Sequence, residues 1–214
     1  MRTSIFAICV GLFAFSAMAD FLPVPVTEGK PLRVQLGASS SNTWQPMQLK
    51  EIGGYASAVY GVGGGFDVGF GLQGTGVNNS AKYSGVLQGD LMLRFVGTVT
   101  DIFFIGLQAV PNFKFNFSSK DMGAHLSAGL PMGVVFPDVI SVYVLPAVEL
   151  GDRIEADPTN TIWGNAIGVS LAAGVGVQWA GLHWVAQAKP WVQDWSNWSK
   201  TFRTDFMLGL AMDI

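Results

Sequence analysis

The sequence predicts an all-β protein, a transmembrane up-and-down antiparallel β-barrel of ten strands. Three observations support this fold class. Of the 214 residues, 50% are hydrophobic and only 13% are charged, against about 25% charged residues in an ordinary soluble domain. Apolar residues alternate with small or polar residues along many segments, as they do in strands with two different faces. No segment after residue 19 has the uninterrupted apolar length of a membrane-spanning helix.

The first 19 residues have the pattern of a secretory signal peptide. Arg2 precedes an apolar run, and Ala17-Met18-Ala19 supplies the small residues that signal peptidase accepts. We therefore expect residues 1–19 to be removed and residues 20–214 to form one barrel domain. Cys9 is the single cysteine of the sequence and falls in the removed segment, so we expect neither disulfides nor thiol chemistry in the mature chain.

Ten segments carry the alternation of a strand that has one apolar face. Within one of them, Val169, Leu171 and Ala173 share a face, while Ser170 and Ala172 lie on the other. A helix would mix these sets, because its apolar stripe recurs every three to four residues. Most segments approach the roughly 9–11 residues with which a tilted strand crosses a bilayer. The predicted strands are 32–39, 54–62, 65–73, 82–95, 101–111, 122–135, 139–151, 165–179, 182–193 and 202–214.

The connections between these segments alternate in length, as in bacterial transmembrane barrels, which have short periplasmic turns and longer external loops. Short turns are predicted at 63–65, 96–100, 136–138 and 180–181, and longer polar loops at 40–53, 74–81, 112–121, 152–164 and 194–201. An even number of strands places both termini on the periplasmic side. Eight strands are the alternative if the stretch 54–73 or 101–118 holds fewer strands than predicted.

The last segment, TFRTDFMLGLAMDI, alternates up to the end of the sequence. Phe206, Leu208 and Leu210 share one face, and Asp205 and Met207 lie on the other. This segment resembles the closing strand of small bacterial outer-membrane β-barrel proteins, most of which end in Phe where this sequence ends in Ile. The resemblance implies a location in the cell outer membrane, contact with its lipid and lipopolysaccharide, and recognition of the C-terminal strand by the barrel-assembly machinery.

The inward face of the barrel is predicted to be polar and to carry charges of both signs. Such charges should pair, because an unpaired charge in a low-dielectric interior is costly. Ten strands enclose a lumen between those of filled small barrels and of water-filled porins. We therefore expect a narrow polar pore for ions or small solutes, or a structural barrel closed by its charge network. The predicted pore-lining residues are Arg33, Asp67, Lys82, Asp90, Arg94, His125, Glu149, Lys189, Arg203 and Asp205.

His125 and Ser127 lie two residues apart on one predicted strand and therefore share a face. Folding about the turn at 136–138 sets His125 roughly opposite Glu149. The tripeptide His125-Leu126-Ser127 resembles the H-x-S element of outer-membrane lipid A deacylases, small barrels in which Ser is the nucleophile, His the base and a Glu completes the triad. The resemblance implies a catalytic site of Ser127, His125 and Glu149 that hydrolyses acyl esters of lipid A.

Three features separate this sequence from those deacylases. Their Glu follows the Ser at much shorter spacing, and their H-x-S element lies near the C-terminus. Their site faces lipid, whereas the alternation here directs His125 and Ser127 into the lumen. The main interpretation is therefore a polar lining in which His125 bonds Glu149, with no catalytic residue. Acyl-ester hydrolysis is kept as the alternative.

Other kinds of protein fit the sequence less well. The net charge of −3 comes without a basic cluster, so no nucleic-acid partner is expected. The two histidines lie on separate strands and do not form a metal site, and no cofactor is expected. A soluble β-sandwich would carry more charge on its solvent face. A surface adhesin or interaction barrel is a further alternative, which rests on tryptophans in predicted loops: Trp44, Trp163, Trp195 and Trp198.

Overall fold

The computed structural model describes residues 21–25, 30–44, 47–79, 82–117, 120, 122–136, 139–151, 167–192, 195 and 202–214. Within them, eleven β-strands form one sheet. The strands are β1 (Leu32–Trp44), β2 (Met47–Gly63), β3 (Phe66–Asn79), β4 (Lys82–Thr98), β5 (Phe103–Asn116), β6 (Met122–Gly129), β7 (Met132–Phe136), β8 (Ile140–Gly151), β9 (Ile167–Trp179), β10 (Leu182–Val192) and β11 (Phe202–Asp213). No helix in this described part is long and apolar enough to cross a membrane. The predicted signal peptide and its cleavage site lie outside the described residues.

The sheet closes on itself because its first and last strands pair. β1 and β11 are antiparallel neighbours from Arg33–Asp213 to Thr43–Arg203, and the remaining strands pair in sequence order around the ring. Closure gives every strand two neighbours, so that no edge is left with unpaired backbone groups. The predicted up-and-down antiparallel barrel is confirmed, and a two-sheet sandwich is excluded.

β6 and β7 are two halves of one interrupted strand of the barrel. Both keep a single register against β5 and a single register against β8. Pro131 separates them because it has no N–H to donate to the ladder, although its carbonyl accepts a hydrogen bond from the Gly106 N–H at 2.8 Å. If β6 and β7 are counted as one interrupted strand, the described barrel has ten strands. The main prediction of ten strands is therefore confirmed over the alternative of eight.

The strands extend beyond their predicted bounds on the side of the longer connections. β1 continues to Trp44 and β2 begins at Met47, where the sequence predicts a loop over 40–53. β3 and β5 also run into the predicted loops 74–81 and 112–121. Alternation fails in β1 because consecutive serines are polar on both faces, yet their backbone groups still pair with β2 and β11. The predicted loop 152–164 lies outside the described residues.

The outer wall of the barrel is apolar. Its exposed large side chains include Leu36, Phe70, Leu91, Leu93, Leu107, Val142, Val148, Leu171, Leu208 and Leu210. Near the short turns the exposed side chains become aromatic, with Phe95, Phe136, Trp179 and Trp184. An apolar band with an aromatic rim is typical of a barrel that faces lipid.

Glycines on the inner wall make room for aromatic rings. The Tyr55 ring lies against Gly37 and Gly209, and a Cβ added at either glycine would overlap the ring. The hydroxyl of the ring is also held in place, because Gln35 Nε2 donates to Tyr55 Oη at 2.9 Å. The close approach of the ring to the seam between β1 and β11 therefore requires glycine on both strands.

We predict that Gly209→Ala destabilises the barrel by about 1–3 kcal/mol, because the new methyl group would displace the Tyr55 ring from a filled interior. Gly74→Ala is the matched control, since a Cβ there meets nothing within 4 Å. The midpoint of unfolding in urea, followed by tryptophan fluorescence, measures both variants. Equal midpoints for the two variants would contradict the packing role of Gly209.

Candidate functional site

The lumen holds the charged residues that alternation predicts on the inner face. The structure buries Arg33, Asp67, Asp90, Arg94, His125, Glu149, Lys189 and Asp205 there and leaves Arg203 half-buried. The side chain of Lys82 lies outside the described residues. The buried charges form two layers, one near the short turns and one near the longer connections.

Two arginine–aspartate pairs form the layer near the short turns. Arg33 and Asp213 face each other across the seam between β1 and β11, with Nε 2.5 Å from Oδ1 and Nη2 2.7 Å from Oδ2. Arg94 of β4 lies directly opposite Asp67 of β3, and its Nε and Nη2 donate to Oδ2 at 3.0 and 2.6 Å. Each guanidinium thus meets a carboxylate through two N–H groups, the geometry of a strong ion pair.

The segment Phe21–Pro25 lies inside the barrel between these two pairs. Its first four residues are buried, although it belongs to no strand. Arg94 Nη1 donates to the Leu22 carbonyl at 2.6 Å, and Arg33 Nη1 donates to the Val24 carbonyl at 2.7 Å. The layer near the short turns therefore closes around a piece of the chain itself.

The layer near the longer connections is centred on Glu149 of β8. Its Oε2 lies 2.7 Å from His125 Nε2. Its Oε1 accepts a hydrogen bond from Ser170 Oγ at 2.5 Å and lies 3.2 Å from Lys189 Nζ. The second ring nitrogen of the histidine, Nδ1, lies 2.5 Å from Asn112 Nδ2. Side chains from five strands thus meet at the Glu149 carboxylate and His125: β5, β6, β8, β9 and β10.

The strand register differs by two residues from the one that the sequence predicts. Ser127, and not His125, lies directly opposite Glu149. The difference arises because the hairpin pairs Phe136 with Ile140, which centres it one residue further along the chain. His125 still reaches Glu149 along the diagonal of the strand pair, a separation that long side chains can bridge.

The three residues of the alternative serine–histidine–acid site lie close together, with Ser127 directly opposite Glu149 and His125 Nε2 2.7 Å from Glu149 Oε2. Such a site needs one imidazole nitrogen on the carboxylate and the other on the serine hydroxyl. In this barrel His125 Nε2 lies 2.7 Å from Glu149 Oε2, and Nδ1 lies 2.5 Å from Asn112 Nδ2. A catalytic role for Ser127, His125 and Glu149 therefore stays a prediction.

The mouth at the longer connections carries the last predicted inward charge. Arg203 of β11 lies 3.6 Å from Glu51 of β2 and stacks over the buried Trp191 ring at 5.7 Å. Among the four tryptophans that suggested an adhesin, only Trp195 has a described side chain, and it is exposed. One exposed ring does not by itself define a binding surface.

Several residues of the two layers are not among the predicted pore-lining residues. Asp213, Asn112 and Ser170 lie on the inward positions of their strands and could have been found by the same alternation. The segment Phe21–Pro25 could not have been found in this way, because alternation reports only on strands and this segment pairs with none of the described ones.

No protein-family model matches the chain, and no curated protein matches it. Among solved structures, the chain is similar to the translocator domain of autotransporter NalP from Neisseria meningitidis. The two chains are 12% identical, the match covers 87% of this chain and 90% of that chain, and the TM-score is 0.48. Within the described residues, no group of three or more His, Cys, Asp or Glu side chains is placed to hold a metal ion.

We predict that Glu149→Gln destabilises the barrel by about 3–5 kcal/mol, because it breaks the buried ion pair in which the carboxylate lies 3.2 Å from the Lys189 ammonium. Glu51→Gln is the matched control. Its partner Arg203 is half-buried, and such a pair contributes about 1 kcal/mol or less. Urea unfolding of both variants measures the difference.

The double variant Glu149→Gln/Lys189→Met distinguishes a lost ion pair from general damage to the lumen. It should recover part of the lost stability, because the second charge of the broken pair is removed as well. A double variant no more stable than Glu149→Gln alone would contradict the assignment.

Proposed function

We propose that the chain is an integral outer-membrane β-barrel whose lumen is a narrow polar pore for ions or small solutes. The observation that carries this proposal is the division of side chains between the two faces of the wall. Buried charges of both signs lie inside, whereas the exposed large side chains of the outer wall are apolar. A barrel with a water-facing exterior would have the opposite arrangement.

The dimensions of the wall support its place in a bilayer. β2 and β4 are 17 residues long, and β1 and β9 are 13, more than the roughly 9–11 that a tilted strand needs to cross. The aromatic residues near the short turns lie where the interface would be. By analogy with other bacterial barrels, the short turns face the periplasm.

The packing of the lumen supports small solutes over large ones. Side chains of both charge layers are almost fully buried, so a wide water-filled channel is absent from the described interior. Charges of opposite sign on facing walls produce a transverse field that acts on ions and dipoles. A solute that passes must fit between these side chains and exchange its water for their polar groups.

We predict that Leu91→Arg prevents stable insertion into lipid vesicles, because an arginine on the lipid face near the bilayer midplane costs about 2–4 kcal/mol. Leu91 lies exposed in the middle of β4. Val99→Arg is the matched control, since Val99 lies exposed in the short connection after that strand. The heat-modifiable band on a gel gives the folded fraction. A wild-type chain that folds and stays soluble without detergent would contradict the membrane assignment.

We predict discrete conductance steps in planar bilayers and a change of selectivity in Asp90→Asn. The Asp90 carboxylate is buried in the lumen, so its loss should shift the reversal potential in a salt gradient toward anions. Asp101→Asn is the control, because Asp101 is exposed outside the lumen, in the connection between β4 and β5. A folded barrel that stays silent, even with Phe21–Pro25 displaced, would contradict the pore and favour a structural barrel.

A further inference from the structure

We propose that the lumen contains a binding site for an extended proline-containing peptide, that the chain's own segment Phe21–Pro25 occupies it, and that solutes pass only when this segment leaves. The second half of the proposal rests on the proposed pore function. The binding site itself rests only on contacts inside the barrel.

The site recognises the peptide backbone. Arg94 donates to the carbonyls of Leu22 and Val24 at 2.6 and 3.4 Å. Arg33 donates to the carbonyls of Val24 and Pro25 at 2.7 and 3.0 Å. The amide N–H of Leu22 donates to the side-chain oxygen of Gln35 at 3.2 Å. Three of the five residues are thus held by charge-assisted hydrogen bonds, which are stronger than neutral ones.

The composition of the segment suits this site. Pro23 and Pro25 have no N–H, so fewer backbone donors need a partner in the lumen. The site offers N–H groups from two arginines and therefore favours a chain rich in acceptors. Proline also restricts the unbound segment to extended conformations, which reduces the entropy lost on binding.

Apolar contacts fix the register of the segment. Phe21 packs with Val59, Met92 and Val110 of the wall. Leu22 and Val24 join a separate apolar cluster that includes Tyr55, Val96, Phe104, Tyr143, Val185 and Met207. The two clusters together surround the segment, so it fills the lumen at this level instead of lying along one wall.

The segment can leave without exposing an unpaired charge. Each arginine keeps its own aspartate, Asp213 for Arg33 and Asp67 for Arg94, and the segment supplies only neutral carbonyls. Water can replace such acceptors at small cost. β1 and β11 also pair with each other directly. Within the described residues, closure of the barrel therefore needs no backbone hydrogen bond from the segment. The site is therefore preformed and its occupant exchangeable.

Labelling of a single introduced cysteine tests the binding site. In a Cys9→Ser background, Val24→Cys places a thiol at a position that is 5% exposed, so a membrane-impermeant maleimide should react slowly. Adding Gly69→Leu should speed the reaction at least tenfold, because a Cβ at Gly69 already comes 2.8 Å from Phe21 Cε1 and 3.1 Å from Met92 Cε. Gly74→Leu is the control on the same strand, with open space around its Cβ.

Arg94→Lys provides a second way to weaken the site if Gly69→Leu does not fold. The lysine keeps the charge beside Asp67 but loses the fork of donors to the segment, and the introduced thiol should again react faster. The heat-modifiable band verifies folding of each variant. Fast labelling of Val24→Cys without a second substitution would overturn the binding site. Equally slow labelling after Gly69→Leu and after Arg94→Lys would also overturn it.

Conductance tests the consequence for passage. Gly69→Leu and Arg94→Lys should raise the open fraction of single channels several-fold over wild type and Gly74→Leu. An acetylated Phe-Leu-Pro-Val-Pro peptide, added on the short-turn side at about millimolar concentration, the effective concentration of a tethered segment, should reverse this rise. A peptide with the same residues in scrambled order should not.

Cysteine labelling tests the binding site, whereas conductance tests whether the segment controls passage. Faster labelling with an unchanged open fraction would overturn the gating role and leave the pore intact. Silence of every folded variant would overturn the pore function, while the labelling rates would still support the binding site. Equal block by the ordered and scrambled peptides would overturn the sequence specificity of the site.

Discussion

The ion pair between Arg33 and Asp213 lies at the seam where the barrel closes, and the interior depends on it. It joins the second residue of β1 to the last residue of β11, strands that are far apart in sequence and meet only in the closed ring. Such a contact carries a large loop-closure entropy that local structure cannot offset. The same guanidinium also holds the backbone of the segment ahead of β1, so one side chain links closure of the wall to filling of the lumen.

A closed wall makes alternation a strict rule for this chain, which explains how much of the fold the sequence predicts. Inward positions carry paired polar groups, small residues or apolar side chains that pack within the lumen, and the large side chains at outward positions are apolar. Asp67 and Arg94, predicted to be inward on separate strands, face each other for that reason. The rule weakens where the apolar outer band ends. Ser39, Ser40 and Ser41 extend β1 with no apolar face to mark them.

The details of the site depend on quantities that alternation does not carry. The position of Glu149 opposite Ser127 follows from where a single hairpin turns, and a shift of one residue in the turn moves the pairing by two. The partners of His125 come from strands on either side of its own, Asn112 from β5 and Glu149 from β8. Only the closed, registered ring brings Asn112 and Glu149 to opposite sides of the imidazole.

The two charge layers differ in what they can offer to an ion. In the layer near the short turns each arginine is matched by one aspartate, so the layer is close to neutral and its occupant is a neutral peptide. In the layer near the longer connections, Lys189 lies opposite Asp205 in the strand pair and within 3.2 Å of Glu149. One ammonium there faces two carboxylates, whereas each guanidinium of the other layer has its own aspartate. Under the proposed pore function, steric closure by the segment and selection of ions by charge would therefore lie at different ends of the lumen.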